Sequence, residues 1–156
     1  MNPLTAAAAA GLASGTQATV AMTSFMRGAQ KLGMLGKLPP RKITAAALDA
    51  LGIHRSRKEE QTAAMAAHFG FGAGAGALFS MLAGRIDSTA TATWKGAAFG
   101  TLVWLVSYAG WVPALRIMPS PPKDSPQRQI TILLAHLVYG GVLGSSLARR
   151  RQRLAS

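Results

Sequence analysis

Ala67-His68-Phe69-Gly70-Phe71-Gly72-Ala73-Gly74-Ala75-Gly76 and Ala135-His136-Leu137-Val138-Tyr139-Gly140-Gly141-Val142-Leu143-Gly144 share one pattern, His-x-x-aromatic-Gly-x-x-x-Gly. Both copies sit inside apolar runs that carry no acidic or basic residue. Working outward from them, four such runs emerge: Leu4 to Met26, Thr62 to Gly84, Gly96 to Leu115 and Ile130 to Ala148. Each approaches the ~20 residues a helix needs to cross ~30 Å of hydrocarbon. The Lys and Arg residues lie between and around the runs, with Lys95 at a boundary. A soluble Ala/Gly-rich helical bundle is the competing reading, but soluble helices of this length carry a polar stripe. Here the polar residues concentrate in the connections.

Composition agrees. The 156 residues are 49% apolar and only 14% charged, with 17 Gly and no Cys. That excludes disulfides, iron-sulfur clusters and Cys-based zinc sites. A net charge of +12 raises nucleic-acid binding, yet the basic residues flank apolar spans instead of alternating with stacking aromatics. The expected partner of that charge is the anionic lipid surface, with no nucleic acid. Arg41, Lys42, Arg57, Lys58, Arg149, Arg150 and Arg151 are the candidate headgroup contacts. The first run lacks a basic segment ahead of it and is too long for a signal peptide's apolar core, so it is read as part of the bundle.

The spacing of the runs predicts a duplication. His136 stands 68 positions after His68, and that offset also superimposes the aromatic residue and both glycines. An offset of 85 carries Gly11, Gly15 and Thr16 onto Gly96, Gly100 and Thr101. A double proline followed by a basic residue, Pro39-Pro40-Arg41 and Pro121-Pro122-Lys123, divides each half at the same place in the order. The expectation is an all-α, four-transmembrane-helix bundle with helices near 4–26, 57–84, 93–115 and 126–148. Repeat 1 covers about 4–84 and repeat 2 about 93–148, related by a pseudo-twofold axis along the membrane normal. The basic loop 27–56 is 17 residues longer than its counterpart (85 − 68). It holds either a short surface helix over Ile43 to Gly52, capped by Thr44, or an ordinary loop. Ser56 to Glu59 has capping-box spacing ahead of the second span. Asp124 to Gln127 repeats that spacing ahead of the fourth, with Pro126 suited to a first helical turn.

Orientation is contested within the sequence. Loops one and three carry eleven basic residues, Lys37 and Arg55 among them, against six on the other face, counting Arg85, Lys95 and the tail. The positive-inside rule then places both termini outside, whereas the compact Arg149 to Arg153 cluster argues for the reverse.

Gly11/Gly15, Gly72/Gly76, Gly96/Gly100 and Gly140/Gly144 each form a small-residue strip of the kind that lets membrane helices approach closely. These are expected to pack the bundle internally, or, for one strip, to dock on another protein. His68 and His136 share the faces of their strips and stand at one depth, roughly 9 Å into their spans by helical rise. Intramembrane ionisable residues are functional candidates by default. The pair is consistent with a neutral hydrogen-bonded packing role, with a proton-linked or solute-binding site, or with bis-imidazole ligation of haem or a metal. Ser107 and Tyr108, near Gly110 and Pro113, are expected to pack, to bend their helix or to line a cavity. Trp94 and Trp111 mark the ends of the third run as interface anchors. No nucleophile-base-acid set is visible, so no enzyme is expected.

The segments Leu38-Pro39-Pro40-Arg41, His68-Phe69-Gly70-Phe71-Gly72, Val103-Trp104 with Ser107-Tyr108, Trp111 with Pro113-Ala114-Leu115, and Ala135-His136-Leu137-Val138-Tyr139-Gly140 resemble the YagU-like family of small bacterial inner-membrane proteins. The resemblance spans roughly Gly11 to Leu147. It implies a multi-pass inner-membrane location and brings no activity, substrate or cofactor. The functional expectation is a structural or accessory subunit packed on a larger membrane complex or on a second copy. A small transporter or proton-linked carrier using the paired histidines is the alternative.

Overall fold

The structure is a computed structural model and describes residues 2–35, 39–54, 56–84, 86 and 88–155. Lys37, Leu38, Arg55 and Arg85 of the sequence argument lie outside that set. The chain is all-helical, with no strand among the described residues. Five helices follow one another: α1 (Pro3–Lys31), α2 (Pro39–Ala50), α3 (Arg57–Leu82), α4 (Thr89–Ala114) and α5 (Pro126–Ala155). Three of them, α3, α4 and α5, are long and apolar enough to cross a membrane. α1 matches them in length, but its Ala, Gly, Ser, Thr and Gln content is milder and it is not among the three.

Local chemistry sets the helix ends. The Asn2 side chain accepts the Leu4 amide at 3.0 Å and opens α1. Ser56 and Glu59 form the capping box that their spacing predicts: the Glu59 amide donates to Ser56 Oγ at 3.3 Å, and the Ser56 amide donates to Glu59 Oε2 at 2.7 Å. Ser88 caps α4 through the Thr91 amide, which starts that helix before residue 93. α1 runs past Met26 to Lys31, and α5 continues through the basic cluster beyond residue 148. Gly33, Gly52 and Gly84 each take a positive φ just after a helix, where a side chain would be strained.

Two capping expectations are corrected. The stretch 27–56 is no mere basic loop, since α2 starts at Pro39 and leaves Thr44 buried in mid-helix. A proline lacks an amide hydrogen and is welcome in a first turn, so the Pro-Pro pair begins a helix here. Before α5 the cap is Ser125, whose Oγ accepts the Arg128 amide at 3.4 Å. Asp124 is drawn into a different network, described below.

α1 packs on α3, α4 packs on α5, and α1 also packs on α5, while α2 lies against α3. The first two contacts are built on glycine. A methyl group at Gly76 would stand 2.6 Å from Gly15 Cα, and one at Gly11 would stand 2.6 Å from Ala77 Cα. A methyl at Gly96 would stand 3.0 Å from Gly144 Cα, and one at Gly100 would stand 3.1 Å from Gly140 Cα. Where lipid replaces water, apolar side chains gain little by moving from tail to neighbour, so backbone proximity of this sort carries the packing. Polar bonds add to it: Ser146 donates to Gln17 Oε1 at 2.7 Å and ties α5 to α1. Arg151 Nη1 and Nη2 donate to the carbonyls of Gly84 and Ser80 at 2.8 and 2.6 Å, closing the C-terminal end of α3.

Candidate functional site

α3 and α4 touch near their short connection, where Phe79 and Phe99 stack at a tilt with ring centroids 5.2 Å apart. Towards their other ends they frame a cavity of about 260 Å³. α1 contributes Thr19, Met22 and Met26, and α2 closes one end with Pro39, Pro40, Ile43 and Thr44. His68, Phe71 and Gly72 come from α3, Ser107, Tyr108 and Trp111 from α4, and Ile132, His136 and Tyr139 from α5. The four polar candidates read from the sequence, His68, His136, Ser107 and Tyr108, therefore line one space. The walls are chiefly apolar, and no Lys, Arg, Asp or Glu lines the cavity among the described residues.

The wall of α4 departs from the α-helix. Leu105–Trp111 is π-helical, and Gly110 has φ −101° and ψ −106°, outside the helical region. Wider turns of this kind concentrate at functional sites because they displace side chains from the regular repeat. Here the distortion presents Ser107, Tyr108 and Trp111 together. The Ser107 hydroxyl donates to the Val103 carbonyl at 2.6 Å. Tyr108 is buried, stacks on Trp104 with centroids 5.7 Å apart, and donates to Asp124 Oδ2 at 2.7 Å. Arg128 Nε lies 3.2 Å from the same oxygen. That triad is what withdraws Asp124 from a capping role, and it anchors the segment between α4 and α5 beneath the cavity.

The polar hydrogens of the lining are largely committed. Thr19 donates to the Gly15 carbonyl at 2.8 Å, and Tyr139 donates across the bundle to the Gly72 carbonyl at 2.7 Å. His136 Nδ1 sits 2.8 Å from the Ile132 carbonyl, which makes that nitrogen the protonated one and leaves Nε2 as an acceptor in the neutral ring. His68 differs: its Nε2 is buried and has no hydrogen-bond partner. Ser14 Oγ, Thr23 Oγ1 and Trp104 Nε1 share that condition, but none of them lines the cavity. A buried polar atom left unpaired costs about 1–3 kcal/mol, and His68 is the cavity-lining residue that carries one.

Other candidates fall elsewhere. The eight strip glycines lie at helix contacts, and of them only Gly72 lines the cavity. Arg41 forms an ion pair with Glu60 at 3.1 Å, joining α2 to α3, and Arg151 serves α3 as described. These two are thus engaged by protein groups. Arg57, Lys58 and Arg149 are exposed, while Lys42 and Arg150 are half-buried. Among the described residues no three His, Asp or Glu side chains come together as a metal-binding set. Sequence reasoning missed the contribution of α2 and the reach of the Tyr139 hydroxyl. The aromatic position of the motif was the only signal for the latter.

Residues 3–155 match a family of unknown function, DUF6789, and the chain belongs to it. No curated protein and no solved structure matches the chain. The family match carries no link to the YagU-like proteins that the motifs resemble.

Proposed function

We propose that this DUF6789 member is a multi-pass protein of the bacterial inner membrane that binds a small lipophilic molecule between its paired histidines. In this reading α1 joins the three apolar helices as a fourth span, and the bundle is a tandem repeat of two-helix units. The glycine contacts of α1 with α3 and of α4 with α5, which use the same glycines of each half though in a register shifted by four residues, support that. The observation that carries the binding reading is an apolar cavity lined by both histidines, one of which, His68, has a buried Nε2 without a partner. With no fixed charge lining that space among the described residues, the favoured ligand has one neutral hydrogen-bonding head, a hydroxyl or a protonated carboxyl, and no phosphate. The chemistry required is binding and exchange, with no covalent step.

The test uses protein reconstituted in phosphatidylcholine vesicles and a photoreactive octanol. Labelling is expected to map to residues around His68 and His136 and to fall about tenfold in His68→Leu, the equivalent of one lost hydrogen bond. Labelling spread evenly over the outer helix faces, unchanged in His68→Leu, sinks the reading. An optical spectrum of the purified protein tests the haem variant, which demands a Soret band that disappears in His136→Gln.

A second reading, a structural or accessory subunit, is favoured by a different observation. Gly70 and Gly74 of α3 are exposed, and a methyl group at either would meet no atom within 4 Å. This open strip has the spacing that admits another helix. Co-purification of a stoichiometric partner, or of a second copy, in mild detergent supports it, and a solitary monomer counts against it.

A further inference from the structure

Below the Phe79–Phe99 contact, α3 and α4 diverge and leave an apolar groove between them, walled by Gly74, Leu78, Leu102 and Val106. Phe71, Val103, Ser107 and Trp111 belong to this groove and to the histidine cavity alike, so the two spaces adjoin across a shared wall. Both helices that frame it are long and apolar enough to cross a membrane, and Leu78, Leu102 and Val106 are exposed on the outer surface. The groove thus opens sideways at the level of the spans, separated from the cavity only by side chains common to both, and no charged residue among those described lines it. A water-soluble ligand gains nothing along such a path, since each polar group would shed its hydration without a replacement partner. A hydrocarbon chain loses nothing.

We infer that the occupant is a single-chain lipid from the surrounding bilayer, with its hydroxyl or carboxyl head at His68 and its acyl chain lying in the α3–α4 groove. This rests on the ligand-binding reading above and adds the chain, its route and its limits. A head group with one hydrogen-bonding function satisfies His68 Nε2. A phosphate head would enter a space with no Lys or Arg among its described lining residues to receive it, so single hydrogen-bonding heads are favoured over those of diacyl phospholipids. Phe71, more than half exposed at the junction of the two spaces, is placed to close over the chain.

Gly74 offers a clean test, because a side chain there points into the groove and strikes nothing within 4 Å. In phosphatidylcholine vesicles, photoreactive octanol and photoreactive hexadecanol are compared on wild type, Gly74→Phe and His68→Leu. The inference expects Gly74→Phe to cut hexadecanol labelling at least fivefold while octanol, short enough to stay in the cavity, labels as before. His68→Leu is expected to weaken both. In wild type, the hexadecanol photophore at the chain end should mark Leu78, Leu102 or Val106. Equal labelling of Gly74→Phe and wild type by hexadecanol overturns the groove, as does a shift in oligomeric mass of Gly74→Phe with unchanged lipid labelling, which would make the groove a helix-docking face. Failure of both alcohols to label the cavity of wild type overturns the ligand-binding reading itself, and is told apart by the octanol arm.

Discussion

The α1–α3 pair and the α4–α5 pair meet glycine to glycine, but in different registers. A methyl group at Gly11 would strike the Gly76 carbonyl, and one at Gly15 the Gly72 carbonyl. At the corresponding positions, Gly96 would strike the carbonyl of Gly140 and Gly100 that of His136. Under the 68-residue offset Gly140 answers to Gly72 and His136 to His68, so the second pair has slid by four residues, about 6 Å of helical rise. His136 is in consequence held where α4 presses on its backbone, and its ring is bonded to Ile132. At Gly72, one turn from His68, α1 presents the Thr19 side chain instead of a glycine backbone. One signature therefore yields an imidazole bonded to its own helix and one whose buried Nε2 has no partner. The lesson is that register, more than residue identity, decides which copy of a motif is free to bind.

The comparison breaks first at the glycines. Gly76→Leu and Gly96→Leu should each cost at or beyond about 3 kcal/mol, because the obstructing atoms are backbone and cannot step aside. Loss of a cooperative thermal transition in detergent, against an unchanged one for Gly74→Leu, is the expected readout. Retained stability in either variant would mean that its helix pair is not closed as described. The histidines give the next effect. His68→Leu removes an unpaired buried atom and should leave stability unchanged or raise it by about 1 kcal/mol, while His136→Leu loses its bond to Ile132 and falls by about that amount. Opposite signs in denaturation by a stronger detergent sharpen the contrast, and equal signs erase it.

Tyr139→Phe probes what joins the halves. Its hydroxyl bond to Gly72 should contribute about 0.6 kcal/mol, a typical figure for a hydrogen bond between membrane helices. Phe71 has no hydroxyl to lose, so Phe71→Leu should leave stability alone and change only ligand labelling. Arg151→Ala is expected to have a similarly small effect on stability, under about 1 kcal/mol, because the guanidinium is partly solvated. Faster amide exchange confined to the last turn of α3 is its signature. Exchange spread through all helices would show instead that the tail holds the bundle as a whole.

Much of this was legible before any coordinates. The Ser56/Glu59 spacing reads directly as a capping box, because that chemistry is local and needs only a three-residue interval. The shared helix face of His68 and the glycines followed from 3.6-residue periodicity, and both histidines do reach one cavity. What escaped was tertiary. Asp124 has cap spacing, yet its carboxylate finds better partners in Tyr108 and Arg128, which arrive from a distant helix and the next turn. The Pro39-Pro40 pair was read as a break, although its missing amides are harmless at a helix start. The π-helical stretch at 105–111 has no signature beyond Gly110 and Ser107. The register slip could not be read at all, because both halves carry the same glycine spacing.

The bonds of α5 back to α3 also set an order of assembly. Tyr139 reaches a carbonyl made 67 residues earlier, and Arg151 reaches one made 71 residues earlier. At ~5–20 residues per second of synthesis, α3 waits about 4–14 s for the side chain that completes its C-terminal end. During that interval the glycine contact with α1 is the main packing that α3 can have, beside α2 and the Phe79–Phe99 contact with α4. The first half must therefore hold together as a provisional hairpin, with its histidine and its groove open to the bilayer, until the last helix arrives to close it.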